Sequence, residues 1–186
     1  MSIVESVKNI VRESMIASTT HDWEHIERVY ILATKIAEKE EADLELVQLG
    51  ALLHDIGRIV GEPHNVTGKA KSREILESLS YDSKRIDLIE NIIENHNLGN
   101  WHKLGSMEEK IVWDADKLDG IGAIGVARAF FMRGETGLPF HDFTWFEDDT
   151  MLRYSRLNTS AAKEIGKERI EYMSRFFERL NKEIQP

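Results

Sequence analysis

Leu52-Leu53-His54-Asp55-Ile56-Gly57 closes the apolar run whose periodicity decides how this chain folds. The run carries Leu46, Leu49, Gly50 and Leu53 at helical spacing, and Asp43 stands where a helix cap is expected. An imidazole and a carboxylate then sit side by side. On a regular helix adjacent side chains point about 100° apart, so these two converge on one ion only where the helix ends or unwinds. Gly57 is the expected stop, through the left-handed cap conformation that glycine tolerates. Two donors at a helix end, against a core face, make a natural metal corner. The plainer alternative is a His-Asp contact that only helps to end the helix, and the dipeptide alone does not choose between them.

Outward from this stretch the period stays near 3.6. Val4, Val7, Val11 and Met15 predict a helix over 3–17. Thr19-Thr20-His21-Asp22 reads as a helix start. The helix that follows, over 22–41, has Ile26, Val29, Tyr30, Ala33, Ile36 and Ala37 as its buried stripe. His25 precedes that stripe by one position, and His21 lies one turn earlier.

Residues 57–66, marked by Gly57, Gly61 and Pro63, read as a loop carrying His64. A helix over 67–79 opens on Lys69, Lys71 and Arg73. Another starts after Asp82 and runs through Ile86, Ile89 and Ile93 to His96, where 98–101 break it. Ser106-Met107-Glu108-Glu109 has the spacing of a capping box. Its helix bears Ile111, Val112, Ala115 and Leu118 together with Asp114, Asp116 and Asp119.

Gly120, Gly122 and Gly125 permit a kink before the apolar 127–132. Residues 134–149 are the least regular stretch, with Phe140, His141, Phe143, Trp145 and Phe146 suiting a flap or lid. A last helix is expected over 158–182. No stretch alternates like a strand. The expected fold is all-α, a compact single-domain helical bundle over 1–186.

Composition narrows the function. Hydrophobic residues make 41% and charged residues 31% of the chain, as in a globular protein. A net charge of −9 argues against an extended nucleic-acid surface, which needs clustered basic residues. The chain has no cysteine, so any metal site uses imidazole and carboxylate. No apolar run approaches the roughly 20 residues that span a bilayer, and the N-terminus lacks a signal-peptide pattern. The expected setting is cytoplasmic.

The chemistry-bearing residues are His25, His54, Asp55, His96 and Asp116 beside apolar stripes, with His64 on its loop. Carboxylates near a core are costly unless paired or bound to a cation. Histidines and aspartates from several helices facing one interior are how a bundle builds a metal site. Such donors suit Mn, Fe, Co, Ni, Mg or Zn.

In order along the chain, His25-x-x-Arg28-Val29, His54-Asp55 and Asp114-Ala115-Asp116-x-Leu118-Asp119 resemble the HD superfamily of metal-dependent phosphohydrolases. The likeness covers roughly residues 20–130 and is strongest to small stand-alone members. It implies His25, His54, Asp55 and Asp116 as ligands of a divalent metal. Spacing agrees on Asp116, which follows Val112 by four residues and can share its inward side, whereas Asp114 should face outward. Asp119 is then placed to support a ligand histidine.

The resemblance further implies His21 as proton donor to a leaving group, and His64 and His96 as holders of a second metal or of phosphate. Arg28, Arg58 and Lys117 are candidate cations for a phosphoryl group, with Lys69 and Lys71 at a helix start as further options. The implied activity is hydrolysis of a phosphate ester or anhydride by a metal-activated water, in a small phosphorylated metabolite such as a nucleotide. The alternatives are a dinuclear-iron oxygenase on the same fold, and a non-catalytic nucleotide-binding regulatory domain. The aromatics at 140–146 are candidates for stacking a base or for pairing two subunits as a homodimer.

Overall fold

Short polar side chains set the helix starts. In a computed structural model that describes residues 1–15, 21–137 and 144–184, Ser2, Asp22, Asp43 and Asp82 accept the backbone N–H groups of Glu5, His25, Leu46 and Arg85. Each satisfies one of the donors that a helix leaves open at its first turn. Ser106 and Glu109 form the reciprocal capping box. The helices are α1 (Ile3–Ser14), α2 (Trp23–Glu40), α3 (Leu44–Leu53), α4 (His64–Ser78), α5 (Ser83–Asn95), α6 (Met107–Asp119), α7 (Ala123–Thr136), α8 (Thr144–Ser155) and α9 (Ser160–Ile184). Short 3-10 turns occupy Ile56–Ile59 and Leu98–Lys103. No strand occurs among the described residues.

The apolar helix α3 is the divider of the core. Its Val47 and Ala51 face one cluster, with Val29, Ala33 and Ile36 of α2, Ile111 and Trp113 of α6, and Phe177 of α9. Leu46, Leu49, Leu52 and Leu53 face a second, with Val7 and Val11 of α1 and Ile86, Ile89 and Ile93 of α5. Burial of each such Leu or Ile contributes about 1.5–3 kcal/mol. An element enclosed on both sides cannot show a one-sided stripe, which is why α3 reads as a continuous apolar run. Because α3 ends inside the molecule, His54 and Asp55 arrive at the protein's interior.

Several expectations are corrected. Gly57 has no left-handed backbone; the positive-φ glycines are Gly61, Gly122 and Gly137. Its role is space, since a Cβ there would lie 1.9 Å from the His64 carbonyl and 2.5 Å from the Gly68 nitrogen. That close approach lays the start of α4 against the turn after Asp55. Accordingly α4 begins at His64, three residues before the expected start, and His64 is its first residue rather than part of a loop. Residues 134–149 are not irregular throughout: α7 continues to Thr136, and 144–155 form α8. Phe146 is buried there against Phe177, with ring centroids 5.8 Å apart. Phe140, His141 and Phe143, like the Thr19-Thr20 start, lie outside the described residues.

Asp114 faces inward rather than outward and is fully buried. It accepts from the backbone nitrogens of Asn158 (2.9 Å) and Thr159 (2.8 Å), from Asn158 Nδ2 (2.9 Å) and from Thr159 Oγ1 (2.8 Å). The helix wheel misplaced it because α6 is enclosed on nearly every side, from Ile111 to Ala115 and from Lys117 to Asp119. Burial raises its carboxyl above the usual range, against the pull of these four bonds. Asp114→Ala strands buried donors at the head of α9 and is expected to cost about 2–4 kcal/mol. Urea denaturation measures this; a loss under 1 kcal/mol would show that water replaces the carboxylate.

Candidate metal centre

Helix ends supply the donors. His25 lies in the first turn of α2, His54 and His96 cap the C-termini of α3 and α5, Asp55 follows His54, His64 opens α4, and Asp116 lies in the last turn of α6. The last turn of a helix has carbonyls without an intrahelical partner. His54 Nδ1 donates to the Ala51 carbonyl at 2.8 Å, and His96 Nδ1 to that of Ile93 at 2.6 Å. His25 Nδ1 donates to Asp119 Oδ2 at 2.8 Å, and His64 Nδ1 to Glu62 Oε2 at 2.9 Å. All four acceptors are oxygens with no proton to give, so each Nδ1 carries the hydrogen. In the neutral ring each Nε2 then presents a bare lone pair.

Those lone pairs face one another. His25 Nε2 is 3.3 Å from His54 Nε2, and His64 Nε2 is 3.2 Å from His96 Nε2. Two neutral acceptors at that distance repel unless a proton or a metal ion lies between them. Two nitrogens each about 2.1 Å from one ion, at angles between octahedral and tetrahedral, sit roughly 3.0–3.4 Å apart. Asp116 Oδ1 completes the first group, 3.5 Å from His25 Nε2 and 4.0 Å from His54 Nε2.

Asp55 stands between the two pairs. Its Oδ2 is 3.8 and 3.7 Å from the Nε2 atoms of His25 and His54. Its Oδ1 is 3.5 Å from those of both His64 and His96. Neither oxygen accepts a hydrogen bond from the described residues, although Asp55 is 1% exposed. Arg58 Nε approaches Oδ2 to 2.8 Å, at an angle that makes an ion pair and not a hydrogen bond. A buried carboxylate with one ion pair and no hydrogen bond has lone pairs left for a further cation. Two groups of donors could each hold a divalent cation: His25, His54 and Asp116, and Asp55, His64 and His96.

The electrostatics keep the donors in the form a cation needs. Burial opposes ionisation of Asp55, but the imidazoles of His54 and His96 and the Arg58 guanidinium outweigh it and hold its carboxyl well below the usual range. Burial likewise opposes ionisation of Asp116, and Lys117 with the nearby imidazoles overcomes it. Burial pushes the His54 imidazole down to about 4. Its value in an unfolded chain is near 6.5, so between the two the unfolded chain binds more protons. The contribution of His54 to the stability of the metal-free protein is therefore full above pH 6.5 and is lost as pH drops toward 4. Urea titrations of chelator-treated protein from pH 7.5 to 4 check this, and a constant midpoint would contradict it.

A cleft of about 310 Å³ opens onto the centre. His21, Arg58 and Lys117 line it, as do Asp55, His96 and Asp116. The His21 ring stands edge-on to that of His25, with centroids 5.4 Å apart. Lys117 is 6% exposed and pairs with its neighbour Asp116 in the cleft wall. Two expected cations are placed elsewhere. Arg28 does not line the cleft; it grips Asp119 with two hydrogen bonds, of 2.7 and 3.0 Å. Lys69 is committed to Glu94 at 2.6 Å and also lies outside the cleft lining. Lys71 pairs with Glu74 at 2.8 Å. Trp145 and Phe146, from the aromatic stretch expected to cover the site or stack a base, do line it, and so do Arg128 and Arg153, which sequence reasoning missed. Arg128 sits inside an apolar run and Arg153 within a helix that was not expected, so spacing marked neither.

All-helical packing with His and Asp donors converging from helix ends defines a metallohydrolase-type HD domain, and the chain belongs to that family: the HD-domain family model matches residues 22–121. Among its relatives is the uncharacterized protein YpgQ of Bacillus subtilis, 34% identical over 90% of this chain and 86% of that protein. The crystal structure of YpgQ in complex with ADP superposes with a TM-score of 0.81 at 30% identity, covering 98% of this chain and 95% of that one. An HD-superfamily hydrolase of Bacillus thuringiensis gives 0.80 at 31% identity, over 97% and 95% of the two chains.

Proposed function

We propose that this protein is a phosphohydrolase acting on a nucleotide through two divalent cations held in one interior site. The observation that carries the reading is the pair of facing Nε2–Nε2 contacts on either side of Asp55. The basic lining of the cleft, Arg58, Lys117, Arg128 and Arg153, favours an anionic phosphate over a neutral substrate. The YpgQ complex with ADP supports a nucleotide as the ligand class. One domain over 1–186, working in the cytoplasm, belongs to this proposal; among the described residues no helix is long and apolar enough to cross a membrane.

Bound cations of this kind polarise a phosphoryl oxygen and lower the pKa of a water toward neutrality. The chain's own residues do the rest. His25, His54, His64 and His96 are held in the tautomer that turns Nε2 toward a bound cation, because each Nδ1 donates to an oxygen. Lys117 and Arg58, beside Asp116 and Asp55, offset charge gathering on the equatorial phosphoryl oxygens. Burial holds the His21 imidazole down to about 4, so at neutral pH it is uncharged in the free protein. A phosphate in the cleft raises it, which assigns its proton-donor role to the loaded state. His21→Gln is expected to keep the metal content and lower turnover about 10²–10⁴-fold.

Elemental analysis of the purified protein, followed by a metal-by-substrate screen, tests the whole reading. Two divalent ions per chain and release of phosphate or pyrophosphate from nucleotides are expected. Absence of turnover on phosphate esters and anhydrides with every divalent metal would overturn it. Product formation that needs air and iron would replace it with the oxygenase reading.

A further inference from the structure

Each group of donors has one histidine at a helix C-terminus and one at a helix start. His54 and His96, at C-termini, donate from Nδ1 to carbonyls of their own helices, those of Ala51 and Ile93. A helix start offers N–H groups and no open carbonyl. His25 and His64, in the first turns of α2 and α4, therefore need an acceptor from a side chain. For His25 it is Asp119 at 2.8 Å, and for His64 it is Glu62 at 2.9 Å. Asp119 is buried, whereas the Glu62 side chain is 69% exposed, in the segment that leads into α4.

Glu62 holds His64 at two points. Its Oε2 accepts from the His64 backbone nitrogen at 2.9 Å and from His64 Nδ1 at 2.9 Å. One oxygen bonded to both fixes the rotation of the ring against the start of its own helix. Glu62 Oε1 accepts from Arg58 Nη1 at 3.5 Å, and Arg58 Nε pairs with Asp55 Oδ2 at 2.8 Å. On the far side of the ring Arg58 Nη2, a donor, lies 3.4 Å from His64 Nε2. A donor at Nε2 and an acceptor at Nδ1 both select the tautomer with its hydrogen on Nδ1. Nε2 is thereby turned toward His96 Nε2 at 3.2 Å and Asp55 Oδ1 at 3.5 Å.

We propose that Glu62 is a positioning residue for the cation of the Asp55, His64 and His96 group. By holding Nδ1 it keeps His64 Nε2 aimed at that position, and it sets the affinity there without acting on the group of His25, His54 and Asp116. This rests on the two-cation reading of the proposed function.

The test uses full-length protein and Mn²⁺ alone as the probe. Stepwise Mn²⁺ binding is followed by electron paramagnetic resonance, folding by thermal melts, and the His64 tautomer of metal-free protein by two-bond ¹H–¹⁵N NMR at mildly alkaline pH. In Glu62→Ala one of the two Mn²⁺ affinities should fall about 10-fold, the low end for such a partner because this bond is open to water, and the other should stay within about threefold. The same variant should shift His64 toward a mixture with the Nε2–H form. The amide oxygen of Glu62→Gln still accepts from Nδ1, so that variant should keep the parent tautomer and recover most of the affinity. If Glu62 only steadies the start of α4, Glu62→Ala lowers the melting temperature and leaves both affinities and the tautomer as in the parent, which overturns the proposal. Equal losses at both positions, or a Glu62→Gln variant as weak as Glu62→Ala, overturn it too. A parent protein that binds fewer than two Mn²⁺ would instead sink the two-cation reading, and this proposal with it.

Discussion

Asp55→Asn is expected to reduce the metal content from two ions per chain to almost none and to lower turnover by at least about 10³-fold. The carboxylate reaches toward both histidine pairs, with Oδ2 on the side of His25 and His54 and Oδ1 on that of His64 and His96. An amide has the same shape but offers one neutral oxygen and one nitrogen that is no ligand. The two ions would then lose both their link and the negative charge that offsets their repulsion. The fold should survive. With metal removed, the native carboxylate keeps its ion pair with Arg58 and is held charged by the surrounding imidazoles, so the metal-free variant should still fold but melt below metal-free parent protein. Inductively coupled plasma analysis and thermal melts with and without chelator measure both effects. Retention of two ions per chain would show that Asp55 is no ligand.

Replacing one histidine should discriminate the two halves. His54→Ala removes a donor from the group with His25 and Asp116 and leaves His64 and His96 intact. About one ion per chain should remain, and turnover should fall about 10³-fold or more because one cation no longer polarises the phosphoryl group. His96→Ala should also retain about one ion, at the other position. Titration with Mn²⁺ monitored by electron paramagnetic resonance separates these cases, since coupled pairs and isolated ions give different spectra. Loss of both ions in both variants would mean that the groups fill only together. The full helical signal in circular dichroism should persist, because the histidine rings bond to helix-end carbonyls and do not fill the apolar clusters.

The ordered motifs made much of the centre legible. His25, His54, Asp55 and Asp116 stand next to apolar stripes, and a polar donor at the border of a core is a visible anomaly. Asp119 as the partner of a histidine followed from its position three residues after Asp116. His64 and His96 were visible as candidates, but their pairing was not. It depends on the start of α4 lying against the turn after Asp55, a contact permitted by Gly57 and Gly68 that helical periodicity cannot encode. Arg128 was hidden for a related reason. A single cation inside 127–132 looks like the solvent side of an apolar helix, and only the fold turns it toward Asp119.

Asp114 marks where helical arithmetic stopped. A wheel assumes one buried face and one wet face, while α6 is wrapped by α2, α3, α5, α8 and α9. An outward direction on such a helix leads into another packed layer, and there the carboxylate holds Asn158 and Thr159, whose hydroxyl caps α9. In the stretch around α8, glycines, a proline and aromatics gave no clear period. What made residues 144–155 a helix was packing, with Phe146 seated against Phe177.

By itself the sequence determined the helical class, most helix starts and the chemical character of the site. These are local matters: side-chain spacing, caps and the absence of thiols act over a few residues. Tertiary structure alone decided that Asp55 faces two histidine pairs, that Arg28 holds Asp119 away from the cleft, and that Arg128 lines it. Each of these depends on the direction in which a side chain leaves one element toward another, and that direction is set by packing between segments distant along the chain.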